Sequence, residues 1–261
     1  MNPNVHRQFT LEQFSEVLRV ANPSGRPYVI IGGQAVNYWA TRYLAHEPAL
    51  AVWQPFTSKD IDFRGDRVDV LRMAAQLHRP AVFPHRRMMT NFAGGVAWVI
   101  DDVSSRVEFV RRVPGTPEAE VEKLAIESDF LGQPIRVIDP VSLLACKLNL
   151  TLTVDQTNRR DADHFRILLL CTRAFLRETL LQVHQEELPV RGWLGAIERL
   201  LKLAESKLGR RAILELETQW VQTLPEPEIA ASKHRLIVQF REKRLVQWLA
   251  KLQRPSRRQS A

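Results

Sequence analysis

Two spacings of apolar residues alternate along the first 150 positions, and they predict alternating helices and strands. Leu11 to Ala21 reads as a helix, introduced by Thr10 as N-cap with Gln13 placed to complete a capping box. The stretch "NPSGRP" ends it, because Pro and Gly do not continue a helix. "YVII", Tyr28 to Ile31, is then a short buried strand stopped by Gly32 and Gly33. In "QAVNYWATRYLA", Ala35, Tyr38, Trp39 and Tyr43 can share one helical face. A Pro-rich loop from Glu47 to Ser58 leads into the strand "DIDF", and Asp66 to Leu77 reads as the next helix. "HRPAVFPHRRMM", His78 to Met89, is a basic connecting loop. "VAWVID" and "SSRVEFV" are two strands joined by a tight turn at Asp101-Asp102. "PEAEVEKLAIESDFL" reads as a short helix whose leading acids suit the positive end of the helix dipole. "QPIRVID" is a strand, and Pro140 opens the helix "PVSLLACKLNL" at the favoured first-turn position.

Beyond about Thr153 no strand pattern is visible. Helices are predicted over Asn158–His184, Gly192–Leu208, Arg210–Leu224 and Pro227–Leu252, and there is no internal repeat. The expected architecture is α+β: a mixed β-sheet flanked by helices in residues 1–152, an all-helical C-terminal region in 153–253, and a disordered basic tail in 254–261, "RPSRRQSA".

Composition narrows the class. A hydrophobic share of 45% with 25% charged residues is that of a soluble globular protein. No run reaches the ~18 apolar residues expected of a membrane span, and "MNPNVHRQFTLEQF" has no apolar core of signal-peptide type. The expected location is therefore cytoplasmic, with no membrane partner. Cys146 and Cys171 sit in apolar, helix-like runs and read as buried free thiols. The net charge of +8 fits a polyanionic partner such as RNA, DNA or a nucleotide without requiring one.

The chemistry concentrates in "FTSKDIDF". Residues i and i+2 of a strand point the same way, so Asp60 and Asp62 share one face while Ile61 and Phe63 face the core. Glu108, in "RVEFV", stands out from another apolar strand in the same manner; its plain alternative is an ion pair with Arg106, its same-face neighbour. Three carboxylates converging from two strands are a donor set for Mg²⁺, which prefers oxygen and shares its shell with phosphates. Gly32-Gly33, ending a strand and opening a helix, would let backbone N–H groups approach a triphosphate.

In the order "VIIGGQAVNYW", "TSKDIDF", "RVEFV", the chain resembles the nucleotidyltransferase superfamily, the DNA polymerase β-like fold. "IRVIDPVSLLACKLNL…NRRDADHFRILL" further resembles the segment after the core in abortive-infection AbiE-type toxin nucleotidyltransferases, so the resemblance covers roughly residues 28–170. It implies that Asp60, Asp62 and Glu108 bind Mg²⁺, with Mn²⁺ as a substitute, and that Glu108 either ligates or deprotonates the acceptor. It implies that Gly32 and Gly33 contact phosphate, with Ser58 and Lys59 beside the triphosphate. Lys147 matches the family's helix lysine, a phosphate or leaving-group partner, and Asp161 the acid after the basic pair.

Two departures stand out. Gln34 replaces the usual hydroxyl residue after the glycines, where its amide would have to donate to phosphate, and "AHEPALAVWQPF" lengthens the loop before the acids.

The expected function is transfer of a nucleoside monophosphate from an NTP to an acceptor hydroxyl. The AbiE-type resemblance implies an RNA acceptor such as tRNA, in a toxin-antitoxin or phage-defence setting with a cognate antitoxin protein. Nucleotidylation of a protein or small molecule, and a noncatalytic nucleotide- or RNA-binding module, are the alternatives. His164, three residues after Asp161, reads as a packing or surface histidine.

Overall fold

The computed structural model describes residues 8–85, 87–88 and 90–252. The basic tail lies outside them. The chain opens with a 3-10 turn, Leu11–Phe14, and a single helical turn, α1 (Ser15–Leu18). Then follow β1 (Val29–Ile31), α2 (Gly32–Tyr43), a 3-10 segment (Pro48–Trp53), β2 (Ile61–Arg64), α3 (Arg67–Gln76) and β3 (Ala81–Val82). The strands β4 (Phe92–Ile100) and β5 (Val103–Val110) form a hairpin, followed by α4 (Glu118–Leu124), β6 (Ile126–Phe130), β7 (Gln133–Val137) and α5 (Pro140–Thr153). The rest is helical: α6 (Asp161–His184), α7 (Val190–Glu205), α8 (Lys207–Glu215), a 3-10 turn (Trp220–Thr223), α9 (Glu226–Ala231), α10 (Arg235–Gln239), a π-helical turn (Phe240–Leu245) and α11 (Val246–Leu252).

All seven strands join one mixed sheet in the order β3-β4-β5-β2-β1-β7-β6. β1 lies antiparallel to β2 and parallel to β7, while β2 runs parallel to β5. The expected α+β fold, a mixed sheet flanked by helices with a helical C-terminal region, is what the chain forms. β1 is buried along its whole length, as a strand covered on both faces must be. β2 and β5 alternate instead. Ile61, Phe63, Val107 and Phe109 are buried, and Tyr28, Phe63 and Phe109 pack ring against ring. The intervening residues, Asp62, Arg64, Glu108 and Val110, are half-buried on the opposite face.

Four sequence expectations need correction. "PEAEVEKLAIESDFL" is not one helix: it turns after Leu124 into β6, which forms a hairpin with β7. Leu131 and Gly132 supply the two positive-φ positions of its turn, and Asp129 accepts from the Gly132 N–H at 2.9 Å. Glu127 and Asp129 on the outer face disguise the period-two burial of Ile126, Ser128 and Phe130. The first helix is shorter than Leu11–Ala21 and begins as a 3-10 turn, although Gln13 accepts from the Thr10 N–H at 3.0 Å as a capping box requires. The last two predicted helices break into shorter pieces; Trp220 turns inward after α8, its indole donating to the Gly209 carbonyl at 3.0 Å. Within His78–Met89, of which 86 and 89 lie outside the described residues, Ala81 and Val82 pair with β4 as an edge strand.

The helical region is packed onto the sheet region. α6 lies against α2 and α5, and one continuous apolar core spans both. Trp39 is its hinge-pin: it stacks on Tyr43, meets Phe175 of α6 edge-on, and donates to the Ile138 carbonyl at 2.8 Å. Glu47, buried in the long loop, accepts from Arg173 of α6 at 2.9 Å and is also held by Arg177, so the loop is anchored on that helix. Cys146 and Cys171 are buried and unpaired. Among the described residues no helix is long and apolar enough to cross a membrane.

Trp39→Ala should cost about 3–5 kcal/mol of stability, since a fully buried indole and its hydrogen bond are lost together. Chemical denaturation of the folded variant measures this. A loss below about 1 kcal/mol would show that the contact between sheet and α6 is not where the fold is held.

Candidate functional site

Register places the acids. Asp62 is the partner of Ile31 on β1 and of Glu108 on β5, so the two carboxylates stand side by side at the point where β1 gives way to α2. Asp60 lies two residues upstream on the same face. Gly95, opposite Glu108 on β4, adds no side chain to that face. Arg106 lies along the acidic edge, 3.7 Å from Asp60 and 3.2 Å from Glu108, with its side chain largely exposed.

The turn into α2 is built around Asp62. Gly32 has φ +67°, a conformation L side chains rarely adopt, and a Cβ there would lie 2.0 Å from Asp62 Oδ2. The Gly33 backbone N–H lies toward the Asp62 carboxylate and favours its charged form. Burial raises Asp62 from an ordinary 3.8 to about 7, helped by the charges of Glu108 and Asp60 and opposed by Lys147 and the Gly33 N–H. Asp60 and Glu108 are also raised, mainly by burial, with Arg106 pulling both down.

Ser58 and Lys59 flank the site differently. A Cβ on Gly33 would lie 2.4 Å from Ser58 Oγ, so that hydroxyl sits on the glycine turn. Ser58 and Phe9 exchange backbone hydrogen bonds of 2.8 and 2.9 Å, strapping the N-terminal segment across the start of the acid strand. Lys59 is exposed, its carbonyl accepting from the Ser105 hydroxyl at 2.7 Å. Gln34 does not face the site. It is fully buried, its amide nitrogen donates to the carbonyls of Phe9 (3.0 Å) and Ser58 (3.4 Å), and its oxygen accepts from Asn37. The expectation that Gln34 donates to phosphate is corrected accordingly: its amide fastens the strap.

Behind Asp62 lies a buried charge pair. Lys147 Nζ donates to Asp161 Oδ1 at 2.7 Å, and Asp161 Oδ2 accepts from Arg159 at 2.6 Å. These partners hold Asp161 below the usual carboxylate range despite its burial. Lys147 is thus not presented to solvent. Arg160 ties the start of α6 to the strap through Gln8 (2.7 Å) and the Thr57 carbonyl (3.4 Å). Sequence reasoning missed the strap and the depth of His164, which is only 6% exposed and has neither ring nitrogen partnered.

For a divalent cation the donor chemistry fits, since all three acids offer hard oxygens. The arrangement is not closed, however: among the described residues no three His, Cys, Asp or Glu side chains are gathered as a ready metal cluster. Arg106 lies against two of the three acids.

No protein-family model matches the chain, and no curated protein sequence matches it significantly. Among solved structures it is similar to an antigenic nucleotidyltransferase-like protein from Paracoccidioides brasiliensis, at 13% identity and a TM-score of 0.43, over 64% of this chain and 78% of that one. At that level the likeness establishes no shared activity.

Two outcomes follow from this geometry. Gly32→Ala should lose about 1–2 kcal/mol from the left-handed backbone alone, and more from the overlap with Asp62; unchanged denaturation would contradict the packing described. Asp62 binds its proton more tightly folded than unfolded, so its contribution is complete below its unfolded value of 3.8 and is lost as pH rises through about 7. The stability of the wild type relative to Asp62→Asn should therefore fall between about pH 4 and pH 7 in urea titrations. A flat difference would mean that Asp62 is not desolvated.

Proposed function

We propose that the chain is a nucleotidyltransferase that moves a nucleoside monophosphate from an NTP to an acceptor hydroxyl and releases pyrophosphate. One observation carries this reading: Asp62 and Glu108 are register partners on parallel strands, with Asp60 on the same face, where the sheet meets the glycine turn of α2. The resemblance of "VIIGGQAVNYW", "TSKDIDF" and "RVEFV" to that superfamily supports it independently.

Asp60, Asp62 and Glu108 are the residues that would hold Mg²⁺ or Mn²⁺, with Arg106 released from the two acids it pairs with. The bound cation would neutralise triphosphate charge and polarise the phosphorus under attack. The protein's own groups supply the rest. The glycine turn lets the Asp62 carboxylate and the Ser58 hydroxyl approach the start of α2, with the exposed Lys59 beside them, and these groups would meet the triphosphate. Glu108, its proton affinity raised by burial, suits removal of the acceptor's hydroxyl proton. The acceptor oxygen then bonds to the α-phosphorus as the bond to pyrophosphate breaks. Lys147, itself paired with Asp161, offsets the charge of Asp62 from behind without reaching solvent.

The net charge of +8 favours an RNA acceptor, and the AbiE-type resemblance points to tRNA, a toxin-antitoxin or phage-defence setting and a cognate antitoxin. A noncatalytic nucleotide- or RNA-binding module is the second reading. It is favoured by Arg106, which offsets Asp60 and Glu108 with no cation required.

Incubation with each NTP labelled at the α-phosphate, with Mg²⁺ and in turn total tRNA, lysate protein and aminoglycosides, separates these readings. Transfer of label to tRNA is expected, abolished by EDTA and reduced at least ~10³-fold by Asp60→Asn or Asp62→Asn, the scale of losing a group that acts on transition-state charge. Binding of NTP or RNA that survives both substitutions, with no transfer to any acceptor, would overturn the enzyme in favour of the module.

A further inference from the structure

The acids do not end the face they stand on. Asp62 pairs in register with Glu108, Glu108 with Gly95 of β4, and Gly95 with Val82 of β3, so one row crosses four strands to the sheet edge. Beyond Glu108 this face is open: Val82 and Val99 are more than half exposed, and Ala97 and Ser104 are exposed with them. The alternate residues of β4, Val96, Trp98 and Ile100, are buried on the side where α3 packs. Apolar residues exposed together beside a reactive centre mark a contact surface.

Phe92 gives the face a flat ring. It stands on the same side as its partner Val110, and its Cζ lies 3.5 Å from where a Cβ of Gly95 would stand. The ring therefore lies over Gly95, next to Glu108. Among the described residues it is half-buried and stands outside the apolar core. Its backbone is fixed: the N–H donates to Thr90 Oγ1 at 3.1 Å, and the carbonyl accepts from Arg111 at 2.9 Å.

Charge selects the occupant. No acidic residue occurs from Val70 to Ile100, against four arginines and two histidines. His78 and Arg79 precede the edge strand β3, His85 and Arg87 follow it, and all four are exposed. Among the described residues neither Arg79 nor Arg87 pairs with a carboxylate, unlike Arg64 and Arg106 of the neighbouring strands. A polyanion suits this edge. An added protein strand does not, because Pro80 and Pro84 bracket the two residues of β3 and a proline cannot donate to a new ladder. Single-stranded RNA is held by stacking bases on aromatic rings while cations track its phosphates.

We propose that the open face of β3, β4 and β5 is the docking surface for a single-stranded RNA acceptor, its last base stacked on Phe92 and its terminal hydroxyl directed to Glu108. This rests on the nucleotidyltransferase reading and gives its acceptor a strandedness and a path.

The test uses the full-length protein and a short fluorescein-labelled single-stranded RNA of mixed sequence, with binding followed by anisotropy across a salt series. Arg79→Ala with Arg87→Ala should weaken binding about tenfold at low salt and flatten the slope of log affinity against log salt by about 1.4, two phosphate contacts at ~0.7 each. Phe92→Ala should also cost about tenfold; Phe92→Tyr should retain most of the affinity and Phe92→Leu should not, because stacking needs a ring whereas packing does not. Arg191→Ala with Arg235→Ala removes the same charge from exposed positions of the helical region and should leave binding essentially unchanged. In the wild type, 4-thiouridine at the 3′ end of the RNA should crosslink to peptides containing Phe92 or Val99, a readout that needs no variant to fold. Equal losses from the two arginine pairs, duplex RNA bound as tightly as the single strand, or crosslinks confined to the helical region each overturn the surface. Label transferred from an NTP to protein or aminoglycoside, with no RNA bound, overturns the surface and leaves the nucleotidyltransferase reading intact. RNA binding lost in the Arg79/Arg87 and Phe92 variants, with no label transferred to any acceptor, supports the surface while the enzyme reading fails.

Discussion

A carboxylate taken out of water needs partners, and the arrangement around Asp62 follows from that need. The Gly33 N–H meets it from α2, and the charge of Lys147 offsets it from behind. Gly32 must lack a side chain because the carboxylate occupies the space where one would stand. Lys147 in turn would be a buried unpaired cation without Asp161, and Asp161 is brought to it by the start of α6. One acid on a central strand thus specifies the turn before α2, the middle of α5 and the docking of α6. The carboxylate, even so, is not fully compensated. It remains proton-hungry, because burial and the neighbouring Glu108 and Asp60 outweigh those partners.

The N-terminal segment belongs to the same construction. Phe9 pairs with Ser58 beside the acid strand, Gln34 clips that pairing from below, and Arg160 reaches it from α6. Three elements distant in sequence therefore converge on residues 57–59. The inserted loop before them is likewise tied down, with Glu47 held by two arginines of α6 and Leu50 buried.

The acid strand was legible because its alternation of Asp and large apolar residues has only one sensible orientation against a core. Gly32 was legible because a strand that ends where a helix begins often needs a left-handed residue. What escaped was set by partners that sequence spacing does not reveal. Gln34 bonds to backbone carbonyls, and a carbonyl leaves no signature in residue identity. β6 was hidden because Glu127 and Asp129, acceptable in a helix, occupy its outer positions, and only pairing with β7 selects the strand. Lys147 and Asp161 lie 14 residues apart on different helices, so neither helix taken alone discloses the pair. His164 reads as an ordinary helical residue until α6 is laid against α2.

α6 is the longest element described, 24 residues or about 36 Å from end to end. Its first turn carries the buried Asp161 and His164 beside the glycine turn, Phe165 meets Trp220 edge-on one residue later, and Leu176 in its far half accepts from the Trp193 indole of α7. It is pinned by charge along its length, at the first turn by the Lys147–Asp161 pair and further on by Arg173, Arg177 and Glu178, which pair with Glu47, Glu228 and Arg42. A tilt of about 3° over that length displaces the tip by roughly 2 Å, more than a hydrogen bond tolerates.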